Sequence, residues 1–84
     1  MVRAMTTTLQ ILDPDEELED GWTVTGDLRR TDEDEANYDV ADELYSLYRN
    51  IEFDPEFSQF FAYAQSREQA EDLVRAIQKW EAQR

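Results

Sequence analysis

The chain has 84 residues, 40% of them apolar, which is enough for one small core and one domain spanning residues 1–84. It carries 21 Asp and Glu against 8 Lys and Arg, a net charge of −13, so direct binding to nucleic acid or to an anionic membrane is opposed by charge. With neither His nor Cys there is no thiol nucleophile, imidazole base, zinc site or disulfide.

Residues 1–5 read as a disordered start. Residues 6–12 favour a strand, with Leu9 and Ile11 on one face. An acidic connection follows, Asp13-Pro-Asp-Glu-Glu-Leu-Glu-Asp20, ended by Gly21. Its opening resembles a calcium loop, but Leu18 and Val24 stand where that loop needs Gly and Glu. Residues 22–28 alternate, placing Trp22, Val24 and Leu28 on one face and Thr23, Thr25 and Asp27 on the other, with Gly26 a candidate bulge. The two strands form a hairpin with a long loop.

From residue 34 to residue 50 the period becomes helical. Val40, Leu44, Leu47 and Ile51 share an apolar stripe, with Ala41 and Tyr48 beside it and Asp32 or Asp34 as N-cap. Asp54-Pro55 marks a turn. Residues 57–65 read as a third strand with Phe60, Ala62 and Ala64 on one face and Phe61 and Tyr63 on the other. Ser66 to Gln69 is a capping box opening a helix whose stripe is Ala70, Leu73, Val74, Ile77 and Trp80. Arg67–Glu71 and Glu71–Arg75 are four apart on its opposite face.

The expected fold is α+β, a three-stranded sheet with two helices on one face in the order β-β-α-β-α. A right-handed crossover would make the second and third strands parallel. At the level of architecture this resembles part of a ferredoxin-like fold, and the resemblance implies no function.

Charge is unevenly placed. Residues 1–56 hold 17 acids and 4 bases, whereas residues 57–84 hold 4 of each. Solvation alone would spread the excess along the chain. Two acidic groups stand out. One is the loop group Asp15, Glu16, Glu17, Glu19 and Asp20. The other is the helical row Glu35, Asp39, Asp42 and Glu43, opposite the Val40 stripe and bordered by Tyr38 and Tyr45. Carboxylates beside tyrosines suit a protein interface. The Arg29-Arg30 pair is too short for a nucleic-acid patch and serves to neutralise neighbouring acids.

The chain is therefore expected to be a cytoplasmic, non-enzymatic binding or inhibitor protein with no metal or cofactor. Its carboxylates would occupy a basic, nucleic-acid-binding site on a partner protein, as a nucleic-acid mimic does. Phage anti-defence inhibitors and nuclease immunity proteins resemble it in size and charge. The alternative is an accessory or regulatory subunit that meets its partner, or a second copy of itself as a homodimer, through Phe61 and Tyr63.

Overall fold

The computed structural model describes residues 9–14 and 21–84. The expected disorder at 1–5 and the acidic loop group Asp15, Glu16, Glu17, Glu19 and Asp20 lie outside the described residues. The elements are β1 (Gln10–Leu12), β2 (Trp22–Gly26), α1 (Ala36–Tyr45), β3 (Glu52–Phe53), β4 (Phe60–Ala64) and α2 (Arg67–Ala82). This is an α+β arrangement around a four-stranded sheet of order β1-β2-β4-β3, antiparallel throughout.

The sheet corrects two expectations. A fourth strand, β3, occupies one edge; it has two residues, too few to show an alternating pattern. The crossover also does not end in the strand beside β2. The chain passes from β2 through α1 to β3, which runs in the direction of β2, and then turns back so that β4 inserts between them. The turn is tied by the Glu56 N–H to the Gln59 carbonyl at 2.7 Å and the Asp54 N–H to the Phe61 carbonyl at 2.9 Å. β2 is consequently antiparallel to β4, in a register from Trp22↔Ala64 to Gly26↔Phe60. That register is continuous through Gly26, so no bulge forms there. Gly21 enters β2 at φ +117°, and a Cβ on it would lie 2.5 Å from the Ala64 carbonyl oxygen. Only glycine fits both conditions.

One face of the sheet builds the core. Val24, Phe60, Ala62 and Ala64 are buried with Ala70, Leu73 and Ile77 of α2 and with Val40, Ala41 and Leu44 of α1. Val74 and Trp80 are half-buried against the same cluster. The small residues Ala62 and Ala64 alternate with larger ones along β4 and leave room for the helices, as their spacing suggests.

The other face is less exposed than alternation implies. Thr23 and Thr25, on the face opposite Val24, are 1% and 7% exposed. β2 is a central strand, so Leu12 and Tyr63 flank Thr23, Gln10 and Phe61 flank Thr25, and the Gln59 amide donates to Thr25 Oγ1 at 2.7 Å.

Both helix starts differ in detail from expectation. α1 is capped by Glu35, whose side chain makes no cap bond, rather than by Asp32 or Asp34. It also stops at Tyr45. The Leu47 and Tyr48 N–H groups both turn onto the Leu44 carbonyl, and this turn swings Leu47 out to 70% exposure, off the stripe assigned to it. Ile51 returns to the core. In α2, Ser66 Oγ accepts the Gln69 N–H at 3.0 Å, but Gln69 reaches back to the Gln65 N–H rather than to that of Ser66. Arg75 pairs with Asp72, not Glu71, while the Arg67–Glu71 pair forms at 3.1 Å.

Candidate protein-docking surface

The first helix owes its orientation to one buried amide. Asn37 sits on the apolar stripe of α1 with Val40, Ala41 and Leu44, and it is fully buried. Its Oδ1 accepts the Leu28 N–H at 2.7 Å, and its Nδ2 donates to the Phe57 carbonyl at 2.9 Å and to Asp27 Oδ1 at 3.1 Å. A single side chain thus ties α1 to the end of the β2 segment and to the β3–β4 turn. Sequence reasoning passed over it, although a polar residue in the middle of an apolar stripe is the signal that would have found it.

Asp27 is in turn held by Arg29, whose Nε and Nη2 make a forked contact at 3.0–3.2 Å. The Arg29 side chain, backed by the Arg29 and Asn37 N–H donors, lowers the Asp27 pKa to about 2 against the desolvation that opposes it. The Arg29 guanidinium also lies 4.6 Å from the centre of the Phe57 ring. Arg29 therefore neutralises a neighbouring acid, as expected. Arg30 departs from that expectation: its backbone N–H donates to Asp34, while its guanidinium caps the Glu81 carbonyl at the end of α2 and makes no ion pair among the described residues.

Asp34 also pairs with Arg84, whose other nitrogen donates to the Leu28 carbonyl at 2.9 Å. The Arg30 N–H, followed by Arg84, holds the Asp34 carboxyl below its ordinary pKa, outweighing desolvation. These contacts close the end of α2 over the loop that leads into α1.

With its inner face committed, α1 presents the opposite face outward. Glu35, Tyr38, Asp39, Asp42, Glu43 and Tyr45 are all exposed, Tyr38 by 40% and Tyr45 by 67%. The structure thus brings together every residue proposed for this half of the site, as one surface of one helix. Among the described residues none of these four carboxylates has an ion-pair partner. Asp27, Asp34, Glu71 and Asp72 each hold an arginine. Among the described residues Asp32, Glu33, Glu52, Asp54, Glu56 and Glu68 also lack an ion pair, but only on α1 do such acids share one helical face.

The alternative surface is the second face of the sheet. Leu12 is 37% exposed, and Phe61 and Tyr63 are half-buried there, opposite the helix-bearing side. Among the described residues no group of His, Cys, Asp or Glu is placed to hold a metal ion, and no helix is long and apolar enough to cross a membrane. No protein-family model, curated protein or solved structure matches the chain.

Proposed function

We propose that the protein is a non-enzymatic acidic binding protein whose α1 surface docks on a basic, nucleic-acid-binding site of a partner protein. The observation that carries this reading is the row Glu35, Asp39, Asp42 and Glu43, gathered on one exposed helical face beside Tyr38 and Tyr45 and without an ion-pair partner among the described residues. Successive carboxylates one helical turn apart are separated by about 6 Å along the axis, a spacing on the scale of adjacent phosphates. The strand order, with β4 between the like-directed β2 and β3, supports the finer reading of a split β-α-β, ferredoxin-like topology. The acidic loop group Asp15, Glu16, Glu17, Glu19 and Asp20 is proposed to add to the attraction for the same partner by its charge.

Charge complementarity acts mainly on the association rate and is screened by salt. Binding should therefore weaken steeply between about 50 mM and about 500 mM salt, roughly a threefold contraction of the Debye length. It should also compete with the partner's nucleic acid. The test compares a triple variant, Asp39→Asn, Asp42→Asn and Glu43→Gln, with a control triple, Glu68→Gln, Glu71→Gln and Asp72→Asn, in capture of the partner. The first triple should abolish capture and the second should not. Equal losses, or capture indifferent to salt, would reduce the acidity to solvation.

The second reading, an accessory subunit or homodimer joined through Phe61 and Tyr63, is supported by the half-exposed apolar residues on the sheet face opposite α1 and α2. Such an assembly would persist in high salt, because apolar burial is not screened, and Phe61→Glu would disrupt it.

A further inference from the structure

The chain shows repeatedly how it holds an arginine. Arg29 lies over the Phe57 ring and forks onto Asp27. Arg84 lies 5.0 Å from the centre of the Trp80 ring and pairs with Asp34. Arg67 lies 6.0 Å from the Trp22 ring and pairs with Glu71. Arg75 pairs with Asp72, which also accepts the Tyr48 hydroxyl at 3.3 Å. In each case a carboxylate takes the guanidinium edge. In the first three the guanidinium also lies over an aromatic ring, and in the fourth a tyrosine hydroxyl shares the carboxylate.

The outer face of α1 carries the same components with no arginine in them. Tyr38, Asp42 and Tyr45 stand at i, i+4 and i+7, so each ring neighbours the Asp42 carboxylate along the helix. Glu35 is one turn before Tyr38, and Asp39 lies one turn before Asp42. Both rings are exposed, and none of these acids has an ion-pair partner among the described residues. The two rings are separated by about 10 Å along the helix axis, with the carboxylate between them.

We propose that this face is specific for arginine, and that its occupant is an arginine-rich segment of the partner protein whose guanidinium forks onto Asp42 while stacking on Tyr38 or Tyr45. This deepens the docking reading above and rests on it. Lysine meets the charge of the row but not its shape. An ammonium cannot accept a flat ring against its face and fork onto a carboxylate in the same pose, whereas a guanidinium does both. The tyrosines then supply selectivity, and the acids supply attraction.

The experiment uses two matched basic peptides, one with arginine and the other with lysine at every basic position, titrated against the labelled full chain by fluorescence anisotropy. The parent should bind the arginine peptide about fivefold more tightly or better, the scale of a partly exposed guanidinium–ring contact. The double variant Tyr38→Leu, Tyr45→Leu should bind both peptides alike while keeping the lysine peptide's affinity within about twofold. Both side chains are exposed, and an unchanged melting temperature would confirm that the variant is folded. Equal affinities in the parent, or a preference that survives in the double variant, would overturn the arginine assignment. If equal binding of both peptides is lost in the Asp39, Asp42, Glu43 triple, the acidic docking surface stands and only the arginine assignment falls. Failure of the parent to bind either peptide would overturn both.

Discussion

Replacing Asn37 by Ala removes three hydrogen bonds that enter one side chain from three segments. The Leu28 N–H belongs to a fully buried residue and would be stranded, at a cost of about 1–3 kcal/mol. The Phe57 carbonyl and the Asp27 carboxylate belong to partly exposed residues, which solvent can reach, so each loss is nearer about 0.5–1.5 kcal/mol. The sum is about 2–6 kcal/mol, against a total stability of about 4–13 kcal/mol for a chain of this length. At about 4–8 °C per kcal/mol, thermal unfolding followed by circular dichroism should show a fall of about 10 °C or more. Asn37→Leu, which restores volume without polar atoms, should be no better, because the Leu28 N–H stays unpaired. A melting temperature within about 3 °C of the parent for Asn37→Ala, or full recovery in Asn37→Leu, would refute the role of the amide.

Leu73→Ala should cost about 2–5 kcal/mol, since Leu73 is fully buried between α2 and the sheet; denaturant titration reads it directly. Gly21→Ala should destabilise measurably in the same assay, because the positive φ and the Ala64 carbonyl both oppose a methyl group. Asp27 has its folded pKa depressed from 3.8 to about 2, so its stabilising contribution is complete above about pH 4 and lost as pH falls towards 2. The melting-temperature gap between the parent and Asp27→Asn should accordingly be steady at neutral pH and narrow across that acidic window; a gap that widens on acidification would contradict the assignment.

What was legible in the chain followed from periodicity. The stripe of α2, its Ser66 cap and the split of β4 into Phe60, Ala62, Ala64 against Phe61, Tyr63 all appear in the structure, because each is a local pattern repeated over several residues. The exposed face of α1 was legible for the same reason: it is the complement of the Val40, Leu44 stripe. What escaped was non-local. β3 exists only because β4 pairs with it, and Leu47 leaves its stripe because a turn, not a composition change, ends α1 at Tyr45. Thr23 and Thr25 are buried by neighbouring strands that their own alternation cannot report. The position of Asn37 on an apolar stripe marks it as buried, but its partners at Leu28 and Phe57, like the Asp34–Arg84 contact, are far apart in the chain and no spacing rule points to them.

The most direct measurement is amide chemical-shift mapping of the isotope-labelled protein as the captured partner is added. The docking account predicts that the changes centre on residues 35–45 and fade as salt is raised, with residues 67–75 of α2 unaffected. Changes centred on β4 around Phe61 and Tyr63, persisting in high salt, would contradict it and assign the interface to the sheet.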